Sequence, residues 1–256
     1  GHNVNRLTVP NLDSDPGSLA QMNASDLVIV SRDTNSGTYA SNASEVTAWN
    51  GIVTPLIQMN AYLVRSNRWK WLNTTGTSIA SGTDLQVRDP AHPIFTGVSP
   101  DNRNRFALIT NGTVNLTNEA SPGNGTVLAT DPGTGNLWIA LWESNTEFYA
   151  GSGQTPAAPR LWFAGGESNN NPKGGENFSS AGETVFLNAV NWMAGVTAGP
   201  PTIINGSTSD ISATAATVTG EVTDTGGSPP SVSIYYGDND GGTAPGAWDA
   251  SIEAGI

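Results

Sequence analysis

Between residues 24 and 60 the chain reads strand, helix, strand with short links, and that order constrains the fold more than any other feature. "ASDLVIVSR" carries a continuous β-branched-rich run at residues 27–30, the pattern of a parallel strand covered on both faces. "SNASEVTAWNGI" predicts a helix, with Ser44 as a candidate N-cap and Gly51 as its stop. "VTPLIQMN" returns as the next strand. Two strands joined through one helix imply a right-handed parallel crossover and so an α/β sheet.

The flanking sequence extends this pattern. "HNVNRLTVP" predicts a short strand ended by Pro10, and "SLAQMN" a helical turn. "TDLQVRDPAHPIFTGV" predicts a strand and then a Pro-bounded turn. "RFALIT", "GTVLAT", "NLWIALWE", "TEFYAG" and "RLWFAGG" read as short strands separated by Gly, Asn and Pro signals. "FSSAGETVFLNAVNWMAG" is the strongest helix. Ser179 or Ser180 caps it, and Glu183 supplies a capping-box carboxylate. Val185, Phe186, Ala189, Val190 and Met193 share one apolar face, and Gly195 closes the helix. Residues 197–206 read as a linker. Beyond it, β-branched alternation around Gly-Gly and Pro-Pro is the pattern of a fibronectin type III or immunoglobulin-like sandwich. Residues 207–256 are too few for a complete one, which takes roughly 100 residues.

Charge and residue supply exclude several functions. Ten basic against 22 acidic residues give a net charge of −12, a field that repels nucleic acid. No apolar run approaches the roughly 20 residues of a bilayer span, so membrane insertion is not expected. The absence of cysteine removes disulfides, thiolate metal sites and a cysteine nucleophile together. His2 and His92 are too few for a histidine metal cage, and no cofactor is expected. The Asn-, Ser-, Thr- and Gly-rich composition suits an extracellular or cell-surface protein.

Six stretches, "GHNVNRL", "SDLVIVSR", "VTPLIQMNAYLV", "DPAHPIFTGV", "APRLWFAGG" and "SAGETVFLNAVNWMAG", occur in an order that resembles one superfamily. It is the class I glutamine amidotransferase-like, flavodoxin-like superfamily, which includes trehalose-utilisation-type proteins of secreted bacterial modules. The resemblance covers residues 1–196 and implies a mostly parallel sheet. In such modules a Gly-His pair closes the first helix, so the first strand and helix are expected upstream of Gly1. The seam they leave is expected to be filled by upstream sequence, a cleaved peptide or another subunit. Aligned on "TPLIQMNAY", the nucleophile elbow of the superfamily places its cysteine at Asn60, and Tyr62 stands where a glycine is usual. An amide cannot act as the thiolate that acyl transfer needs, so Asn60 is expected to cap a following helix or bond neighbouring backbone. The tail is similar to fibronectin type III-like repeats of large exported bacterial proteins.

The remaining candidates are weighed against plain structural roles. His92, between Pro90 and Pro93, is a ligand or acid–base candidate, or fixes a turn. Asp13 with Asp15, and Asp84 with Asp89, are candidate carboxylate pairs for glycoside hydrolysis, or turn residues. "GDNDGGT" at 237–243 is oxygen-rich but lacks the ligand spacing of an EF-hand. Trp69 and Trp71 in "NRWKW" share one face of an extended segment and are the candidate sugar-stacking pair. Eight sequons, at Asn23, Asn42, Asn73, Asn111, Asn115, Asn124, Asn177 and Asn205, are candidate glycosylation sites. Together these readings predict a non-catalytic structural or adhesive module of a bacterial surface, matrix or filament protein. Its partners are expected to be further copies, or other parts of the same polypeptide, at open sheet edges. A carbohydrate-binding or carbohydrate-processing accessory module is the alternative, with glycans as ligands.

Overall fold

A computed structural model describes residues 2–110, 113–167, 176–195, 201–224 and 230–254. The chain divides into two compact units, residues 1–195 and 196–256. In the first, α1 (Pro16–Asn23) and β1 (Val28–Val30) are followed by α2 (Ala43–Asn50) and β2 (Leu56–Gln58). Then come β3 (Thr77–Ile79), β4 (Asp84–Val87), β5 (Arg105–Ala107), β6 (Asn115–Thr117) and β7 (Thr126–Thr130). β8 (Leu137–Trp142), β9 (Arg160–Phe163) and α3 (Ser180–Met193) complete the unit.

Seven strands form one mixed sheet in the order β1-β2-β9-β8-β7-β4-β5. β1, β2 and β9 run parallel, while every other neighbouring pair is antiparallel. The expected mostly parallel sheet is thus corrected to a three-stranded parallel core with an antiparallel extension. Link length explains one of those pairs: six residues join β7 to β8, far short of the dozen or more a parallel crossover needs. Asp131 clamps that turn, taking the Ser81 hydroxyl at 2.7 Å and the Thr134 hydroxyl at 2.6 Å. β3 and β6 form a separate antiparallel pair.

The sheet is buried at its centre and open at one end. All residues of β2, β8 and β9 are buried, whereas Ile29 in β1 is 44 % exposed. The expectation that residues 27–30 are covered on both faces therefore fails: β1 is an edge strand. Residues 2–8 form no strand; they are extended and exposed, held by His2 to Asn191 at 3.1 Å. "TEFYAG" is also not a strand. Glu147 there accepts the backbone N–H groups of Gly151 and Gly153 and folds the segment into a loop.

Helix ends follow their side chains. Asn42, not Ser44, caps α2 by accepting from Glu45 N at 2.9 Å. Ser179 caps α3 through Gly182 N at 3.0 Å, which puts Gly182 rather than Glu183 at the capping-box position. Gly195 follows α3 at φ +68°, the left-handed conformation glycine adopts without penalty.

The second unit contains β10 (Thr202–Ser209), β11 (Thr217–Asp224), β12 (Ser233–Tyr236) and β13 (Ala250–Glu253). They pair as two antiparallel ribbons, β10-β11 and β12-β13. Strand β10 occupies 202–209, so the second half of the expected 197–206 linker is sheet. Residues 196–200 and the Gly-Gly turn at 225–229 lie outside the described residues. No described hydrophobic residue of this unit is buried; Ile203, Ile204, Val218 and Ile252 are each half or more exposed. The described strands are ribbons rather than a closed sandwich.

Candidate functional site

The carboxyl ends of the parallel strands are where open α/β sheets place ligands. There β2 ends at Gln58 and the chain turns through Met59 and Asn60. No helix follows: residues 61–75 form a compact loop, so the helix-capping role for Asn60 is corrected. Its backbone N–H donates to Gln58 Oε1 at 2.7 Å. Its Nδ2 donates to Thr34 O at 2.6 Å, and its Oδ1 accepts from Tyr62 N at 2.8 Å. The amide is buried and joins the loop after β1 to the loop after β2. This is a carboxamide staple.

Around that staple are residues the sequence reading did not single out. The Arg32 guanidinium lies 5.4 Å from the Tyr62 ring centroid and that of Arg65 lies 5.2 Å from it, both within cation–π range. Burial pulls both arginines below their ordinary pKa, opposed in each case by Tyr62. Gln58 Nε2 is shut off from solvent without a partner among the described residues, as is Trp162 Nε1 on the adjoining strand. The signal was present in "SR" after β1 and "AYLVR" after β2, because charged residues directly beyond a buried strand point at its carboxyl end.

Trp69 and Trp71 are not surface rings. Both are fully buried, which corrects their assignment as a sugar-stacking pair. Trp69 stacks on Trp49 at 4.9 Å, and Trp71 on Phe148 at 5.4 Å. Their indole N–H groups are satisfied internally, by Tyr39 O at 2.7 Å and Asn50 Oδ1 at 2.8 Å. The loop after β2 folds back so that Trp69 N and Trp71 N donate to the carbonyls of Leu63 and Val64. That carries both rings inward.

The other candidates occupy structural positions. Asp15 caps α1 through Ser18 N at 2.9 Å, which holds its carboxyl below the ordinary range. Asp13 lines an open, mainly apolar groove between α1 and α2 with Leu12, Leu19 and Ala48. Asp84 accepts from Thr83, and Asp89 from Ala91 N. His92 accepts from Ile94 N and sets its ring edge-on to Trp192 at 4.7 Å; burial lowers its pKa. In 237–243, Asp240 accepts from Gly242 N and Asp238 from Asn239, so the oxygens serve the turn. Among the described residues no three His, Asp or Glu side chains converge as a metal site, and no helix is long and apolar enough to cross a membrane.

Burial divides the sequons. Asn23, Asn42, Asn73, Asn124 and Asn205 are exposed. Asn115 and Asn177 are 5 % and 3 % exposed, so a glycan on either is incompatible with this fold. Asn111 lies outside the described residues.

No protein-family model matches the chain, and no curated protein matches it. Among solved structures it is similar to "Cytoplasmic Protein STM3548 from Salmonella typhimurium", at 12 % identity and a TM-score of 0.48. The match covers 74 % of this chain and 80 % of that one.

Proposed function

We propose that this chain is a non-catalytic structural module of an extracellular bacterial surface, matrix or filament protein, which assembles by strand addition at the β1 edge. The class I glutamine amidotransferase-like kinship of the first unit, and the fibronectin type III-like kinship of the second, belong to the same proposal. One observation carries it: among the described residues no strand pairs with the outer edge of β1. Val28 N donates to Pro55 O, and Val30 O accepts from Met59 N. Val28 and Val30 therefore spend their main-chain groups on β2, and those of Ile29 point off the sheet. No charge, proline or bulge blunts residues 27–31, the devices by which native edges avoid pairing.

The opposite edge shows the contrast. On β5, Arg105 N donates to Asp101 Oδ1 and Arg105 O accepts from Asp101 N, both at 2.8 Å. Ser179 closes over Ala107 O at 2.6 Å. One edge is capped and the other is left as a template for a strand.

Sedimentation over a wide concentration range tests the reading. The expected result is concentration-dependent assembly that Ile29→Lys abolishes while leaving the circular dichroism spectrum unchanged. A monodisperse monomer at several hundred micromolar, with the Ile29 amide exchanging freely, would overturn it. The carbohydrate-binding alternative loses its support with the burial of Trp69 and Trp71.

A further inference from the structure

The loop that follows Asn60 gathers cations in a strongly acidic chain. Of ten basic residues in a protein of net charge −12, Arg65, Arg68 and Lys70 fall within six positions, and Arg32 meets the same Tyr62 ring. The backbone brings them together. Arg65 O accepts from both Arg68 N at 2.9 Å and Lys70 N at 3.0 Å, so the three side chains leave a single tight turn. Lys70 sits at φ +61° to complete it, a left-handed conformation that a lysine adopts only under constraint.

Among the described residues, carbonyls hold the Arg65 and Arg68 guanidiniums. Arg65 donates from Nε to Tyr62 O and from Nη1 to Thr75 O, each at 3.0 Å. Arg68 donates from Nη1 to Asn67 O, and its Nε is shut off from solvent with no acceptor among the described residues. Arg65 and Arg68 repel each other, while Asp33 is the carboxylate felt by Arg32. Among the described residues no carboxylate pairs with Arg65 or Arg68, and the turn leaves guanidinium donors unspent. It also stands at the carboxyl end of β2, the ligand-binding end of an open parallel sheet.

We infer that the turn of residues 62–70 is a binding site for a small phosphate-type oxyanion, held by the Arg65 and Arg68 guanidiniums beside Tyr62. Guanidinium forks match the geometry of such anions, and charge-assisted hydrogen bonds to them are the strong ones. A nucleic acid is not the ligand, since the overall field repels a polyanion. The source is either free phosphate or the phosphate ester of a small metabolite.

Calorimetric titration of the full chain with sodium phosphate, against sodium chloride at equal ionic strength, tests the inference. Saturable one-to-one binding with a dissociation constant of about 1 mM or lower is expected. Arg68→Gln, which loses only a bond to its neighbour Asn67, is expected to weaken binding about tenfold with unchanged thermal stability. Glucose 6-phosphate in place of phosphate separates the sources: tighter binding assigns an ester, and equal binding the free ion. No saturable heat beyond the chloride control with either probe would overturn the site. So would an Arg68→Gln affinity within twofold of wild type. Neither result bears on the β1 edge, because Ile29 takes no part in this turn.

Discussion

Trp71→Ala separates a core indole from a sugar-stacking one. The ring is fully buried and lies 5.9 Å from Trp69, 5.7 Å from Trp142 and 5.4 Å from Phe148. Truncating a buried tryptophan costs about 3–5 kcal/mol in lost transfer energy and residual cavity. Asn50 Oδ1 loses the indole donor at 2.8 Å, and an unpaired buried acceptor adds about 1–3 kcal/mol. Because the site partly relaxes, about 4–6 kcal/mol is expected, a large share of the 5–15 kcal/mol that holds a typical domain. With a urea slope near 2–3 kcal/mol/M, the midpoint should fall by about 1.3–3 M, followed by far-ultraviolet circular dichroism. Trp71→Phe keeps a ring in the stack and forfeits the N–H, so it should fall by about half as much. A Trp71→Ala midpoint within about 0.3 M of wild type, at unchanged slope, would refute the burial argument.

Two further outcomes follow from buried polar groups. Arg160 is fully buried, and its guanidinium donates to the carbonyls of Asn50, Ile52, Thr54, Ala158 and Pro159; desolvation lowers its pKa to about 10. Arg160→Met strands those carbonyls and should cost about 3–5 kcal/mol, read calorimetrically as a fall in melting temperature of about 6–20 °C. Desolvation depresses the His92 pKa below 6.5, with Asp89 and Glu143 opposing. The unfolded chain therefore binds that proton more readily. The contribution of His92 is fully present above pH 6.5 and is lost as pH falls through the folded pKa. A proton-NMR titration should place its midpoint below 6.5, and His92→Gln should flatten that part of the stability–pH curve.

The sequence showed most clearly what local chemistry decides. The apolar face of α3 was readable from Val185, Ala189 and Met193, all buried. The β1-α2-β2 unit followed from its hydrophobic runs and the stop at Gly51. Strand direction was readable where a helix joins the strands, as in the parallel β1-β2 pair, and not beyond. "LWIALW" is buried on both faces and looks like a parallel strand, yet it pairs antiparallel on each side. Burial on both faces reports coverage, whereas direction depends on the connections. Alternation treated Trp69 and Trp71 as neighbours on one face of an extended segment, but Lys70 between them sits at φ +61° and the chain turns there. Two loop hydrogen bonds, to Leu63 O and Val64 O, carry both rings inward. β3 and β6 were missed because "TSI" and "NLT" are too short and polar to show a period.

The corner at Asn60 is held by its side chain as well as by its backbone. A nucleophile elbow presents a side chain to substrate from a turn its own backbone holds. Here the side chain holds the turn: Nδ2 ties down Thr34 O, Oδ1 orders Tyr62 N, and Gln58 Oε1 fixes the Asn60 backbone N–H. A thiol at this position would free the carbonyl of Thr34 and the amide of Tyr62 at once, each a buried or half-buried polar group whose desolvation is then uncompensated. The ring this amide positions is the one between Arg32 and Arg65. The same carboxamide therefore orders the backbone that leads into the cationic turn, and under the phosphate-site proposal Asn60 acts as a positioning residue.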